Sequence, residues 1–352
     1  MPISAVDTIT LAFQHTRRQL VQPFRFGQWT RLAVVGLLAG EAGSSGCNVP
    51  GNFNLPQQTG SSRHFLDSGL ASIDPAVYAG LILVLIVAGL VFGLLLMYVS
   101  SVVRFILFDS VLTRECHIRD GWSHRQGPGW KYFLWQIAYA LVTVGGVVIL
   151  LGIPAAIALA LGWFTQPREH LLALVLGGIT VFLLVLIFSV TAAVVQVLTK
   201  DFVVPQMALE GIGAIEAWRR LWPMIQAEKG GYAAYIGMKI VLAIGAGIVI
   251  SIVSLLLLVV LAIPTVGFGI VAVITGKTAG LTWNAYTITV AVVVGCILLA
   301  AFLYLMALIA VPIIVFFPAY SIYFFAPRFR PLSLILYPPP PQLPSQTPEP
   351  AA

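Results

Sequence analysis

Residues able to bind metals are few in this chain and are widely separated. The five histidines are His15, His64, His117, His124 and His170, and the three cysteines are Cys47, Cys116 and Cys296. No pair has the spacing that wraps two side chains around one ion, and the adjacent Cys116 and His117 cannot easily do so. We therefore expect no metal, no cofactor and no structural disulfide.

One segment resembles the end of a phosphate-binding loop, Gly276-Lys277-Thr278. The first glycine of that motif would fall at position 271, where the chain has Val271, so a phosphate loop is not predicted. No nucleophile, base and orienting group can be grouped elsewhere. The sequence therefore favours a protein that is not an enzyme, and a shared cleft of Asp109, Asp120 and His124 would argue the opposite.

The elements that would position such residues are long apolar segments. Between Leu281 and Pro327 the chain runs 47 residues without an Asp, Glu, Lys, Arg or His, and 59% of all residues are hydrophobic. A bilayer core of about 30 Å takes roughly 20 apolar residues as a helix. Five segments are long enough to cross it, namely 76–103, 132–163, 171–198, 233–262 and 285–311.

A weaker sixth segment, 27–43, has a short apolar centre flanked by Arg31 and Glu41. If it crosses, 16 of the 19 Lys and Arg residues lie on the side of the N-terminus and three lie opposite. That distribution follows the positive-inside rule. We therefore predict an all-α membrane bundle of about six spans in a bacterial cytoplasmic membrane, with both termini in the cytoplasm.

The three spans that leave the cytoplasm begin with a similar pattern. Trp29, Trp130 and Tyr232 each follow a glycine-containing hinge, and they lie 101 and 102 residues apart. This regularity predicts three tandem helical hairpins, each opened by an amphipathic cytoplasmic segment. The predicted units are 3–103, 104–198 and 200–316. Because arginines and aromatics gather at these depths in any membrane protein of this orientation, the alternative is that no repeat exists.

The amphipathic segments carry the residues that we predict to bind lipid headgroups or a membrane protein partner. The first, 3–15, is expected to form an interfacial helix, and Pro205, Gly211, Gly213 and Pro223 should divide the third into short interfacial pieces. The candidate binding residues are Arg17, Arg18, Arg119, Trp122, Trp218, Arg219 and Arg220. Arginines at this depth can reach anionic headgroups. The alternative is that these segments are elbows that only pack beneath the bundle.

Composition sets the domain boundaries. Residues 1–331 are predicted to form the transmembrane domain, with a polar outer loop at 41–75. The remainder, 332–352, contains a run of four prolines and is predicted to be a disordered cytoplasmic tail. Pro154 and Pro264 are predicted to stop two helices near the outer surface, or else to interrupt them at a transport site.

Several motifs carry a resemblance to a known family. They are Arg104-Phe105-Ile106-Leu107-Phe108-Asp109, Trp122, Phe133-Leu134-Trp135, Asp201-Phe202-Val203-Val204-Pro205-Gln206-Met207, Ala217-Trp218-Arg219-Arg220, Val311-Pro312 and Tyr320-Ser321. The chain resembles an uncharacterised prokaryotic family of multi-pass membrane proteins, similar in layout to the membrane domain fused to some glycerophosphodiester phosphodiesterases. The resemblance covers most of the chain and implies a membrane fold. It carries no hydrolase activity over, because the phosphodiesterase catalytic domain has no counterpart here.

Charge placement narrows the function classes. The net charge of +6 comes from residues at the ends of apolar segments, which indicates membrane topology and argues against nucleic acid as a partner. Inside the predicted spans the only charge is Lys239, whereas ion-driven carriers place carboxylates or histidines there. We therefore expect a non-enzymatic protein that organises membrane partners or lipids. The alternative is a transporter or a permease accessory subunit.

Overall fold

The computed structural model describes residues 4–22, 24–41, 75–163, 168, 170–278 and 285–338. These residues form helices, without a β-strand among them, which confirms the predicted all-α class for this part of the chain. The α-helices are α1 (Asp7–Leu20), α2 (Phe26–Leu38), α3 (Pro75–Thr113), α4 (Ile118–Ala160), α5 (Leu171–Leu198), α6 (Val204–Glu210), α7 (Ala214–Ala227), α8 (Lys229–Thr278), α9 (Ala285–Phe325) and α10 (Arg330–Leu336). A π-helical turn (Thr199–Val203) joins α5 to α6, and a 3-10 turn (Ala326–Arg328) joins α9 to α10.

Five helices of the described chain, α3, α4, α5, α8 and α9, are long and apolar enough to cross a membrane. The sixth predicted span, 27–43, is not confirmed. It falls on α2, whose 13 residues extend about 20 Å at 1.5 Å per residue, short of a core of about 30 Å. Of the predicted outer loop, 42–74 lies outside the described residues, as does the tail from 339 onward.

The long helices are buried at one end, which we call the packed end. In α3 the side chains at 79–96 are exposed, whereas those from Ser101 to Phe108 are buried. Other buried residues of the packed end are Tyr132 of α4, Phe202 of the π-helical turn, Tyr235 of α8, and Val311, Val315 and Tyr320 of α9. Both α1 and α2 pack on α9, and α2 also packs on α3. The packed end therefore provides the protein interior into which the short helices join.

The exposed part of α3 has the dimensions of a hydrocarbon core. Residues 79–96 are exposed on every face and extend about 27 Å, against a core of about 30 Å. A helix that is apolar all round can be stable in this way, because lipid covers its side chains. The packed end therefore begins at about the depth of the lipid headgroups.

Helix α1 contacts the packed end through small and polar side chains. Thr8, Ala12 and Gln19 are buried, whereas Val6 is 59% and Phe13 is 63% exposed. The Gln19 amide donates to the Ser110 carbonyl of α3 at 2.9 Å. The helix predicted at 3–15 thus occupies 7–20; Leu20 is buried against the protein, whereas Val6 and Phe13 point away from it.

Two proline-containing segments differ from the prediction that Pro154 and Pro264 stop or interrupt helices. Helix α4 continues through Pro154, and α8 continues through Pro264. In α8 the Thr265 hydroxyl donates to the Leu261 carbonyl at 2.8 Å. Prolines are tolerated in membrane helices where such local hydrogen bonds compensate for disturbed backbone groups.

The segment after the π-helical turn forms two short helices, α6 and α7, as the sequence predicted, but Pro223 does not interrupt α7, contrary to the prediction. Gly211 separates them with a φ of +68°, a left-handed conformation that favours glycine. In the second predicted unit, the corresponding segment is continuous with α4 from Ile118. The units therefore differ in local shape, and the threefold repeat stays a prediction.

The folded chain extends beyond the predicted domain boundary at residue 331. Pro331 lies in the first turn of α10, where a proline is favoured because its missing N–H would have no helical partner. Leu332 is fully buried, and α10 packs on α6. Disorder from residue 332 is therefore wrong for 332–336, since contacts that composition does not reveal hold this turn in place.

Gly129 marks a close approach of α4 to α3. A Cβ atom at this position would lie 2.6 Å from Cγ2 and 3.1 Å from Cα of Val102. We expect Gly129→Ala to lower the free energy of unfolding by about 1–3 kcal/mol, because the added methyl group overpacks the contact. The control Gly145→Ala, on the same helix with no atom within 4 Å, should not lower the melting temperature in detergent. Equal melting temperatures for the two variants would contradict this packing.

Candidate functional site

The structure distributes the predicted binding residues over three helices. Arg17 and Arg18 are exposed on α1, and Arg119 is exposed in the first turn of α4. These three arginines form no ion pair within the described part of the chain. Trp122 is half-buried and meets the Tyr98 ring edge-on at a centroid distance of 6.4 Å. The arginines are therefore accessible, whereas Trp122 contributes to packing.

The predicted residues on α7 are mostly engaged within the protein. Arg220 pairs with both Glu210 and Glu216. Arg219 lies 3.6 Å from Glu216, but its side chain is 79% exposed. Trp218 is half-buried against an aromatic ring of α4. Arg219 is the accessible member of this group. Trp218 and Arg220 instead contact other residues of the protein, as expected from the alternative that this segment only packs beneath the bundle.

A group of charged side chains that sequence reasoning missed lies inside the packed end. We call it the ionic cluster, and its members are Glu41, Arg104, Lys200, Asp201 and Lys239. Their side chains are between 8% and 18% exposed. Because a buried charge is costly unless it is paired and hydrogen-bonded, the contacts among these groups decide whether the packed end is stable.

The acceptors around Arg104 come from α4 and from the residues that follow α2. Its guanidinium donates to the Tyr132 hydroxyl at 3.1 Å and to the Ala39 carbonyl at 2.7 Å. The Glu41 carboxylate lies 3.7 Å from the same group and 3.2 Å from Lys200 Nζ. Glu41 therefore joins α3 to the π-helical turn.

The geometry at the end of α2 depends on glycine. Gly40 has a φ of +75°, which favours glycine because a side chain would be strained there. This turn ends α2 and allows both the Ala39 carbonyl and the Glu41 carboxylate to reach Arg104. The segment predicted as a sixth span thus supplies counter-charges to the packed end.

The second carboxylate of the ionic cluster lies in the π-helical turn. Asp201 accepts hydrogen bonds from the Lys239 ammonium and, at 2.9 Å, from the Tyr235 hydroxyl. Pro205 explains the turn, because proline has no N–H to donate to residue 201 and its ring would clash with that carbonyl in a regular α-helix. The Val204 N–H instead bonds to the Thr199 carbonyl. Such π-helical turns occur frequently at functional sites.

A small cavity adjoins the ionic cluster. It has a volume of about 40 Å³, is partly open, and is lined by all five charged residues together with Phe317 and Ser321. Three cations and two carboxylates give the cluster one net positive charge. Arg104 Nε is buried and has no hydrogen-bond partner in the described part of the chain. Among the described residues, the site therefore presents one unmatched positive charge and one unused donor.

The residues that would have favoured an enzyme are not combined into a catalytic arrangement. Arg125 binds Asp109 through both carboxylate oxygens, at 2.6 and 2.8 Å. Asp120 and His124 are exposed on α4. Within the described residues, no group of three or more His, Cys, Asp or Glu side chains could hold a metal ion.

A second, wider pocket lies at the surface between α2 and the α3–α4 connection. Its volume is about 250 Å³, and its lining includes Arg25, Arg31, Glu115, Cys116 and His117. Burial raises the pKa of the Cys116 thiol, which favours the unreactive protonated form.

Sequence reasoning missed the ionic cluster because each apolar segment was ended at its first charge. Arg104, Lys200 and Asp201 follow the segments that end at 103 and 198. The sequence therefore predicts that their side chains lie outside the membrane, in contact with water. A usable signal was Pro205 placed four residues after Asp201, since that spacing disturbs the helix at a carboxylate.

Asp201 should be essential to the charge balance of the ionic cluster. We expect Asp201→Asn to lower the free energy of unfolding by about 3 kcal/mol, because it leaves Lys239 buried without its counter-charge. The exposed pair member Glu216 is a matched control, and Glu216→Gln should change stability by less than about 0.5 kcal/mol. The double variant Asp201→Asn, Lys239→Met should recover much of the loss. Wild-type stability of Asp201→Asn alone in thermal melts would contradict the pairing.

His15 links α1 to both α3 and α9. Its Nε2 lies 2.9 Å from the Val111 carbonyl, so this nitrogen donates, and its Nδ1 lies 3.1 Å from the Tyr323 hydroxyl. Burial lowers the pKa of His15. The positive charges of Arg114 and Arg18 act in the same direction. The docked helix therefore favours the neutral imidazole.

Docking of α1 should weaken in acid. A histidine whose pKa is lowered by docking takes up its proton more readily when α1 is undocked. Stability from docking is thus complete above the ordinary pKa of about 6.5, declines as the pH falls towards the lowered value, and is constant below it. Melting temperatures of wild type and His15→Gln should converge over this range. Parallel pH profiles for the two proteins would contradict the role of His15.

Comparison with known proteins assigns the chain to a family. A model of a family of unknown function matches residues 3–335. No curated protein and no solved structure matches the chain, and none of these findings links it to glycerophosphodiester phosphodiesterases. The first part of the resemblance, to an uncharacterised family, is confirmed. The chain belongs to the family of unknown function DUF7544.

Proposed function

We propose that this protein is a non-enzymatic membrane protein that organises anionic lipids, and through them membrane partners, at its packed end. The observation that carries this proposal is the outward face of α1. Its exposed apolar side chains, Val6 and Phe13, lie on the same side as Arg17, which, like Arg18, has no ion pair within the described residues.

The outward face of α1 has the composition of an interfacial helix. Val6, Phe13 and Arg17 are separated by seven and four residues, so they share one side of the helix. Beyond the helix, Phe24 is 62% and Phe26 is 58% exposed. Apolar side chains that enter the acyl boundary, beside arginines that reach headgroups, are how such helices bind membranes.

The placement of the chain ends supports a common side for both termini. Helix α1 packs on α9, and α10 follows α9 after one 3-10 turn, so both terminal helices lie at the packed end. The Lys and Arg residues are concentrated there in the sequence, which favours the cytoplasmic side. We therefore propose a bacterial cytoplasmic membrane with both ends of the chain in the cytoplasm.

A transporter or permease accessory subunit is the second candidate, and the ionic cluster is the observation that favours it. Buried ionisable groups between membrane helices are typical of ion and solute pathways. In the described chain, however, the five charges contact one another closely, which is typical of a structural network. Ion flux into sealed vesicles that is lost in Asp201→Asn, with the protein still folded, would move this candidate ahead.

Charge reversal on α1 tests the lipid-organising function. An arginine near an anionic surface contributes about 1 kcal/mol, so Arg17→Glu with Arg18→Glu should weaken anionic-lipid association at least about tenfold. The measurement is the anionic lipid retained with the protein after extraction in native lipid discs. Arg168→Glu is the control, because this exposed arginine precedes α5 at the end remote from α1. Unchanged lipid retention in the α1 variant would overturn the proposal.

A further inference from the structure

We propose that the ionic cluster is a stoichiometric site for one lipid phosphodiester, which inserts a phosphate oxygen between α3, α8 and α9. This site is separate from the loosely held lipids attracted by the arginines of α1. The proposal joins four observations: a net charge, unused donors, a cavity of matching size, and the depth of the cluster.

The charge of the ionic cluster calls for one anion. In the part of the chain that the structure describes, Arg104, Lys200 and Lys239 face two carboxylates, which leaves one positive charge in excess. An ammonium group has three donors, yet Lys200 and Lys239 each have one carboxylate partner among the described residues. A phosphodiester carries one negative charge and only acceptors, so it would neutralise the excess and occupy free donors.

The cavity fits a single anionic oxygen. Its volume of about 40 Å³ exceeds the roughly 10–15 Å³ that one water-sized group requires. The Ser321 hydroxyl and Arg104 belong to its lining, and Nε of that arginine is buried without a partner in the described chain. A whole headgroup cannot enter this space, but one phosphate oxygen can, through the open side.

The depth of the ionic cluster favours a lipid as the source of the phosphate. Arg104 lies eight residues beyond the exposed stretch 79–96, which is about 12 Å along α3. The headgroup region extends the bilayer by about 5–8 Å on each side of the core, so the Arg104 backbone lies about 4–7 Å past that region along the helix, close to the outermost lipid phosphates. Basic pockets between membrane helices on the cytoplasmic side are known to hold such headgroups.

The test uses the full chain in mild detergent, titrated with dioctanoyl phosphatidylglycerol and, separately, with dioctanoyl phosphatidylcholine and inorganic phosphate. Native mass spectrometry counts the bound molecules. We expect one phosphatidylglycerol per chain, retained at concentrations where phosphatidylcholine is not. Inorganic phosphate that binds as tightly as the lipid would overturn the lipid assignment. No preference for phosphatidylglycerol in the wild type would overturn the site itself.

Variants of the lining residues test whether phosphatidylglycerol binds at the ionic cluster. Lys239→Met should weaken phosphatidylglycerol binding at least tenfold, whereas Lys229→Met, an exposed lysine at the start of the same helix, should not. Ser321→Val keeps every charge but fills part of the cavity, so it should also weaken binding if the oxygen enters there. Wild-type affinity in both Lys239→Met and Ser321→Val would refute the proposal.

The α1 variant separates this proposal from the proposed function. Arg17→Glu with Arg18→Glu should lose loosely held anionic lipid but keep the single tightly bound phosphatidylglycerol. Lys239→Met should show the opposite pattern. Loss of the tightly bound lipid in the α1 variant would assign that lipid to the surface arginines and overturn the cluster site.

Discussion

The buried guanidinium of Arg104 needs hydrogen-bond acceptors, and much of the packed end is arranged to provide them. Arginine does not give up its proton in proteins, so its donors must find acceptors or remain solvated. The acceptors are the Tyr132 hydroxyl, the Ala39 carbonyl and the Glu41 carboxylate. Since Glu41 also binds Lys200, the same requirement links α2 and α3 to the π-helical turn.

The long helices combine two physical environments. In hydrocarbon, lipid contacts replace protein contacts with little change in hydrophobic free energy, so apolar helices have no strong reason to pack. At headgroup depth, polar groups and aromatic rings can bind specifically, as the stacked rings of Tyr235 and Tyr320 do at 5.1 Å. Specific structure is therefore concentrated at the packed end, which also contains the ionic cluster and the docking face of α1.

Several elements were predictable because their causes are local. Five helices could be expected from apolar length, and the break at Gly211 from a residue that favours the left-handed conformation. The ends of other elements were not predictable in this way. Pro154 and Pro264 are accommodated inside helices, and Leu332 is held by burial. The burial of Leu332 depends on atoms distant in the sequence, whereas Pro264 is accommodated by the local bond from Thr265.

The same distinction applies to the candidate sites. Arg17, Arg18 and Arg119 were predicted to be accessible, and they are, because charged side chains at helix ends favour water. The pairing of Arg220 with Glu210 and Glu216 was not foreseen, and it engages a residue that we expected to bind a partner. The ionic cluster was missed entirely, since its members come from four separate parts of the chain.

The sequence by itself determined that the chain is helical, that five of its helices are long and apolar enough to cross a membrane, and that its basic residues lie at the ends of apolar segments. These properties follow from residue composition within single segments, because lipid selects each segment by its own hydrophobicity. Tertiary structure alone decided that α2 ends beside Arg104, and that Glu41 and Asp201 contact three cations. These charge pairs depend on how the helices pack against one another, because a buried charge is stable only where another part of the fold places an oppositely charged group beside it.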